Sequence, residues 1–161
     1  MAIIATRIDG RLIHGQVANL WTTKLNITRI MVIDDAVAQN DIEKQGLKLA
    51  VPPGVKLSIL PIEKAANNIK EGKYDSQRLL IVARRPENFL RLVEYGVALE
   101  ELNVGNMSQS PETRAVTRTI NVVDKDIADF DALHAKGVRL YAQMVPGDVP
   151  KDFMPLLEKV R

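Results

Sequence analysis

Near its N-terminus the chain reads Ile3-Ile4-Ala5-Thr6-Arg7-Ile8-Asp9-Gly10-Arg11-Leu12-Ile13-His14-Gly15-Gln16-Val17, and the same succession of strand, loop and helix recurs along the sequence. The first residues are apolar and β-branched, which predicts a strand over residues 3–8. Apolar residues at helical spacing follow, which predicts a helix over residues 17–25. The segment between them is therefore a strand-to-helix loop, the place where an open α/β sheet binds its ligands.

Six further apolar runs predict strands at residues 30–33, 55–60, 79–83, 102–104, 117–123 and 138–145. Helices are predicted at residues 38–50, from Ile62 to a stop at Gly72, from Pro86, after a capping Asp124, and briefly in the proline-containing tail. This alternation predicts an α/β fold, with a single open, mainly parallel sheet of about seven strands, helices on both faces and an antiparallel edge strand. Strands one to four have the composition of strands buried on both faces, whereas strands six and seven alternate and are expected at edges. We expect one domain over residues 1–161.

The composition excludes several classes of protein. The 161 residues are 46% hydrophobic and carry a formal charge of +2, without cysteine, so disulfides and thiolate metal sites are excluded. No His/Asp/Glu cluster has metal-ligand spacing, and no basic stripe is interleaved with aromatic residues, so neither a metal site nor a nucleic-acid partner is predicted. No apolar run approaches the ~20 residues that span a bilayer, and the N-terminus lacks the features of a secretory signal; a cytosolic location is expected.

Strand-to-helix loops of a parallel sheet gather along one edge. This geometry is expected to bring together the loop of His14, Asp34-Asp35, Arg84-Arg85 and Gly105-Asn106-Met107. A histidine, several arginines and a glycine-containing loop would then surround one crevice. From the residues alone, the two aspartates fit a turn and helix cap equally well, and the two arginines also fit a solvated strand end.

The loop has the G-x-x-x-x-G spacing that begins a P-loop, from Gly10 to Gly15. A P-loop continues with Lys and Ser or Thr, whereas this chain has Gln16 and Val17, so an NTPase is excluded. The glycine-flanked turn still leads into a helix N-terminus, whose free N–H groups and dipole favour an anion. His14 is a candidate nucleophile for a phosphoryl group, because neutral imidazole attacks well at pH 7 and leaves well once protonated.

Charged neighbours of His14 fit this chemistry. Arg11 and Arg7 can pair with phosphoryl oxygens, and Asp9 can orient the imidazole or an arginine. The residues alone leave three alternatives: a structural histidine, a non-catalytic module that binds an anion, and a hydrolase with His14 as general base. His134, the second histidine, is assigned no role.

The stretch from Arg7 to Val17 resembles the active-site loop of the enzyme IIB component of the mannose/fructose/sorbose family of the sugar phosphotransferase system. Four further segments resemble that family at matching places: Ala50-Val51-Pro52-Pro53-Gly54-Val55, Leu92-Val93-Glu94-Tyr95-Gly96-Val97, Leu102-Asn103-Val104-Gly105-Asn106-Met107 and Asp126-Ile127-Ala128-Asp129-Phe130. The resemblance covers nearly the whole chain. It implies an open, mainly parallel α/β sheet, in agreement with the pattern of strands and helices.

The resemblance also implies a function. In the family, a histidine at the position of His14 accepts a phosphoryl group from a IIA protein or domain and passes it to a sugar, here a hexose or an amino sugar, imported through the membrane subunits IIC and IID. The family's loop arginine falls on Arg11, and no metal or organic cofactor is required. The candidate catalytic residues are His14, Arg11, Arg7 and Asp9. With the sheet-edge argument, the candidate phosphate- or partner-binding residues are Gly15, Gln16, Asp34, Asp35, Arg84, Gly105, Asn106 and Met107.

One departure from the family pattern is visible in the loop. The family often has Asp-Asp-Arg-Leu-Ile-His, whereas this chain has Gly10 in place of the second acid, which is expected to make the phosphoryl site slightly less negative. We expect the donor to be a separate IIA protein, and association with the membrane to be peripheral, through IIC and IID. The sequence leaves the sugar, the phosphorylated ring nitrogen and the existence of a homo-oligomer open.

Overall fold

A computed structural model describes residues 3–161 of the chain. The strands in this range are β1 (Ile3–Asp9), β2 (Arg29–Ile33), β3 (Lys56–Leu60), β4 (Leu79–Ala83), β5 (Glu101–Asn106), β6 (Arg114–Ala115), β7 (Asn121–Val122), β8 (Arg139–Ala142) and β9 (Lys151–Asp152). The α-helices are α1 (Gly15–Leu25), α2 (Asp41–Ala50), α3 (Ile62–Lys70), α4 (Pro86–Glu94), α5 (Asp124–Ala135) and α6 (Phe153–Glu158), and a short 3-10 turn spans Val37–Gln39.

Seven of these strands form one sheet in the order β3-β2-β4-β1-β5-β8-β9. All neighbours from β3 to β8 are parallel, and β9 closes the sheet as an antiparallel edge strand beside β8. The predicted α/β class, the mainly parallel sheet of seven strands and the antiparallel edge are therefore confirmed.

The sheet separates two hydrophobic cores. The larger core contains side chains of α3, α4, α5 and α6, among them the fully buried Phe89, Phe130 and Phe153. The smaller core lies on the opposite face and contains residues of α1 and α2. Strand β4 contributes Ile81 to the larger core and Val82 to the smaller one, which is why its sequence is continuously apolar. Helices on both faces are confirmed.

The predicted strand over residues 117–123 is confirmed only at Asn121–Val122, which form β7. Its apolar residues Ile120 and Val122 are buried as an alternating pattern requires, but the backbone does not join the main sheet. Instead, β7 pairs with β6 in a two-residue ladder, and Ile120 forms an isolated bridge with Met107. An alternating apolar pattern predicts which side chains are buried, but it does not predict which strand pairs with the backbone.

The order of the strands corrects two further predictions, and the start of α5 corrects a third. β3 is an edge strand with an exposed or half-buried surface along its length, although its composition suggested burial on both faces. β8, expected at an edge, has neighbours on both sides because β9 pairs with it. Asp124 is the first residue of α5, and Val123 is the N-cap residue. The Val123 N–H donates to the Asp126 carboxylate at 3.0 Å.

Candidate functional site at the carboxyl edge of the sheet

The loop between β1 and α1 is a tight turn held by Asp9. The Asp9 carbonyl accepts from the Leu12 N–H at 3.0 Å, and the Asp9 carboxylate accepts from the Arg11 N–H at 2.9 Å. Leu12 has a φ of 60°, in the left-handed region that a branched residue rarely adopts. Leu12 and Ile13 are both buried in the smaller core. Their burial holds the strained turn in place and leaves Arg11 exposed.

His14 follows this turn as the N-cap residue of α1, with extended backbone (φ −105°, ψ 107°). Its Nε2 lies 3.2 Å from Nη1 of Arg11. Because a guanidinium only donates, Nε2 accepts in this contact and the ring proton is assigned to Nδ1. Nδ1 is buried and has no hydrogen-bond partner. Neither ring nitrogen presents an accessible lone pair, because Nε2 accepts from Arg11 while Nδ1 carries the proton and is buried. Attack on phosphorus therefore requires Arg11 to leave Nε2 or the ring to rotate.

The first turn of α1 is suited to an anion. It contains no acidic residue, and Gly15 and Gln16, which begin the helix, are exposed. Their backbone N–H groups are among those that have no partner within a helix, and the helix dipole adds a partial positive charge there. With the exposed Arg11, this end of the helix attracts negative charge beside His14.

Arg7 lies beneath the loop and is 4% exposed. Its guanidinium donates to the carbonyls of Gln143 (3.0 Å) and Met144 (2.9 Å) and to the Asp9 carboxylate (3.2 Å). The Trp21 ring of α1 lies 5.3 Å from the guanidinium carbon. Burial lowers the pKa of Arg7, and the negative charge of Asp9 opposes this change. All these partners are supplied by the protein, so Arg7 holds the loop, α1 and the end of β8 together.

Gly105 makes room for Arg7. A methyl group added at Gly105 would lie 2.2 Å from the guanidinium carbon of Arg7, far inside van der Waals contact. β5 runs beside β1, with Asn103 in register with Arg7. A residue with a side chain at position 105 would therefore fill the space that the buried guanidinium occupies.

The Gly105-Asn106-Met107 segment adjoins the loop as predicted from the sheet edge. The Gly10 N–H donates to the Asn106 carbonyl at 2.9 Å. A methyl group on Gly10 would lie 2.6 Å from the Ser108 hydroxyl, so Ser108 occupies space toward which a larger residue at position 10 would point. Met107 is 3% exposed and packs into the larger core.

Arg84 also reaches the loop, but the two aspartates do not. The Arg84 side chain donates to the Gly10 carbonyl and to Glu43, each at 3.2 Å. Asp34 accepts from the N–H groups of residues 36 and 37, both at 2.9 Å. Asp35 accepts from the Ile62 N–H and from Arg91, also at 2.9 Å. Within residues 3–161, no hydrogen bond or ion pair joins either aspartate to the loop of His14.

Three participants were missed by the analysis of the sequence. The carbonyls of Gln143 and Met144 hold Arg7 from the end of β8, and the Met144 carbonyl also accepts from the indole N–H of Trp21 at 3.1 Å. Backbone carbonyls leave no signal in residue type. Trp21 was expected only in the core, and the aromatic contact with Arg7 depends on tertiary packing. Ser108 carried no motif.

Comparison with known proteins assigns the chain to a family. The family of sorbose-subfamily IIB components of the phosphotransferase system (PTS) matches residues 3–161. The chain belongs to this IIB family. The IIB chain is 36% identical over 160 residues to the mannose-specific EIIAB component of Escherichia coli, covering 99% of this chain and 50% of that protein. It thus spans about half the length of that relative.

Two further relatives match along most of their length. The N-acetylgalactosamine-specific phosphotransferase enzyme IIB component 1 of Escherichia coli is 35% identical over 147 residues, which cover 91% of this chain and 92% of that protein. The crystal structure of the IIBSor domain of the sorbose permease from Klebsiella pneumoniae superimposes with a TM-score of 0.94 at 30% identity, covering 100% and 99% of the two chains. The family is thus shown by both sequence and fold.

Residues 3–161 lack two other kinds of feature. No group of three or more His, Cys, Asp or Glu side chains could hold a metal ion. No helix in the same range is long and apolar enough to cross a membrane.

Proposed function

We propose that His14 of this PTS IIB component accepts a phosphoryl group from a phosphohistidine of a IIA protein or domain and then transfers it to a sugar. The observation that carries this proposal is the Arg11–His14 pair at the anion-attracting N-terminus of α1, 3.2 Å between Nη1 and Nε2. A nucleophile, an exposed cation and N–H groups without a helical partner are thereby placed together.

The transfer is a displacement at phosphorus. The lone pair of a neutral His14 nitrogen forms the new N–P bond, and the electron pair of the broken bond stays with the donor's imidazole nitrogen. His14 releases its remaining ring proton to water, and the donor nitrogen takes one up, so protons balance. As phosphorus approaches, Arg11 exchanges the ring nitrogen for the phosphoryl oxygens, which frees the nucleophile and neutralises charge in the same movement.

Arg7 and Asp9 act in this proposal by positioning. Their mutual ion pair and the bond from Asp9 to the Arg11 N–H fix the turn that carries Arg11. Gly15 and Gln16 supply backbone N–H groups to the phosphoryl oxygens. Arg84 also acts by positioning, because it donates to the Gly10 carbonyl while its charge is paired with Glu43.

The acceptor is proposed to be a hexose or an amino sugar, delivered by IIC and IID membrane subunits at the cytoplasmic face. Support comes from the relatives, whose names specify mannose, N-acetylgalactosamine and sorbose at 30–36% identity. Because these identities are so close, the likeness does not choose among the sugars. A IIA protein or domain is the proposed donor.

The test is phosphorylation of the purified chain with phosphoenolpyruvate, the general PTS proteins and a IIA protein, followed by mapping at alkaline pH. We expect an acid-labile phosphate on His14, and none in His14→Gln, which should fold like the wild type. The matched control is His134→Gln, which changes the other histidine and should be labelled normally. If the wild type stays unlabelled beside a charged IIA protein, or if His14→Gln is still labelled, the proposed mechanism is wrong.

A further inference from the structure

Helix α2 carries two large apolar side chains that face solvent. Ile42 is 84% exposed and Leu49 is 89% exposed. They are seven residues apart, so they lie on the same face of the helix and about 10 Å from each other along its axis. Isolated apolar residues on a surface are ordinary, but two aligned on one face of a ten-residue helix form a patch.

A glycine separates these two side chains. Gly46 follows Ile42 by four residues and precedes Leu49 by three, so it lies on the same face. A methyl group added at Gly46 would have no atom within 4 Å, and Gly46 does not have a positive φ. The fold therefore gives no reason for glycine, which is less stable than alanine inside a helix. A glycine between two apolar side chains allows another backbone to approach closely.

This patch adjoins the proposed phosphorylation site. A methyl group on Gly15 would lie 3.8 Å from the Ala50 carbonyl oxygen at the end of α2. Leu49 is the residue before Ala50, and Gly15 is the residue after His14. The C-terminal end of α2, which carries Leu49, therefore lies beside the loop of His14, and Ile42 lies farther from that loop.

We propose that Ile42, Gly46 and Leu49, the α2 stripe, form part of the docking surface for the protein that donates the phosphoryl group to His14. This inference rests on the proposed function. In transfer between two imidazoles, both reacting atoms sit on short side chains, so the donor's surface is brought against the surface around His14. A stripe that borders His14 and admits a close backbone fits that partner.

The size of the stripe favours a transient protein partner over a second copy of this chain. One helix face about 10 Å long and 10 Å wide offers on the order of 100 Å² in projection, against the ~800 Å² per partner of a stable interface. The loop around His14 supplies the remaining contact for a donor that must leave after each transfer. The membrane acceptor is the less favoured occupant, because a sugar hydroxyl, and not a protein side chain, is the reacting group in the second transfer.

The experiment is rapid-quench measurement of phosphoryl transfer from a phosphorylated IIA protein to the chain, at several IIA concentrations. Leu49→Glu and Ile42→Glu introduce a charge into the α2 stripe, and Asn67→Glu introduces the same charge at an exposed position of α3, on the opposite face of the sheet. We expect the half-saturating IIA concentration to rise about tenfold or more in the first two variants, with the rate at saturation within about twofold of wild type. Asn67→Glu should behave like the wild type.

Gly46→Ala separates docking from folding. Because nothing lies within 4 Å, the added methyl should raise the Tm while it raises the half-saturating IIA concentration. The inference is overturned if the half-saturating IIA concentration of all three stripe variants equals that of Asn67→Glu, even with the wild type normally phosphorylated. Slower sugar phosphorylation in membranes with unchanged donor kinetics overturns it in favour of the membrane acceptor. A wild-type dimer that these variants dissociate, again with unchanged donor kinetics, overturns it in favour of a second copy.

Discussion

Replacing Arg7 by methionine should destabilise the protein strongly, because it leaves the Asp9 carboxylate buried without its cation. Asp9 is 2% exposed and Arg7 4%, and the ion pair between them is 3.2 Å long. Removal of one partner from a buried pair costs about 3–5 kcal/mol. The carbonyls of Gln143 and Met144 lose their donor as well. For a domain of this length, the expected fall in Tm is about 6–20 °C.

The assay is a double-mutant cycle by urea unfolding, with the single variants and the combination of Arg7→Met with Asp9→Asn. Asparagine keeps an oxygen that accepts from the Arg11 N–H but removes the charge. Asp9→Asn alone should cost less, about 1.5–3 kcal/mol, since Arg7 retains both carbonyls and the Trp21 ring. The double variant should be more stable than Arg7→Met alone.

Two results would refute this reasoning. A loss below about 1 kcal/mol for Arg7→Met would mean that Asp9 is solvated rather than buried. Strictly additive losses in the double variant would mean that the two side chains do not interact. If the single Arg7→Met variant is too unstable to purify, Asp9→Asn still tests the reasoning, because it has to lose about 1.5–3 kcal/mol of unfolding free energy.

Three further predictions concern individual side chains. Gly105→Ala should cost at least about 2 kcal/mol in urea unfolding, because the methyl would lie 2.2 Å from the guanidinium carbon of Arg7; a neutral result would show that Arg7 has another place to go. Arg11→Ala should slow phosphoryl transfer about 10- to 100-fold with a change in unfolding free energy under about 0.5 kcal/mol, and Arg11→Lys should be intermediate; a wild-type rate would assign the charge stabilisation to another cation. Asp35→Ala should cost about 1 kcal/mol at pH 7 by unfolding, since it removes the acceptor of the Ile62 N–H, while transfer stays normal. The Ile62 N–H lowers the pKa of Asp35 below its ordinary 3.8, so the stability difference should be full above about pH 4 and decrease as the pH falls toward the lowered pKa; a difference that does not decrease below about pH 4 would contradict this.

Much of the fold could be predicted because it depends on local patterns. The continuous apolar run of β4 requires burial on both faces, and the structure divides that strand between two cores. The helix of α4 begins at Pro86 as a first-turn proline requires. The error at residues 117–123 has a physical cause: Ile120 and Val122 are buried as expected, but burial does not supply an adjacent strand of the main sheet for their backbone.

The residue types of the candidate site could be predicted from the sequence, but their hydrogen-bond and ion-pair partners could not. His14, Arg11 and the glycine-flanked turn could be chosen because nucleophile, cation and helix N-terminus are all encoded within a few residues. Asp35 was placed at the same edge by topology, yet it bonds to Ile62 and Arg91 instead. Which of several edge residues turns toward the loop depends on competing partners from other strands.

The sequence by itself determined the α/β alternation, the strand-to-helix loop with its histidine and arginine, and the resemblance to the IIB family, because all three are properties of neighbouring residues. Only the tertiary structure decided the strand order, the burial of Arg7 and its hydrogen bonds to the carbonyls after β8. It alone also showed that the Arg7 guanidinium occupies the space where a side chain at position 105 would lie, and that Ile42 and Leu49 face solvent. These features arise where segments far apart in the chain compete for the same volume and the same hydrogen bonds, and that competition is settled only when the whole chain is packed.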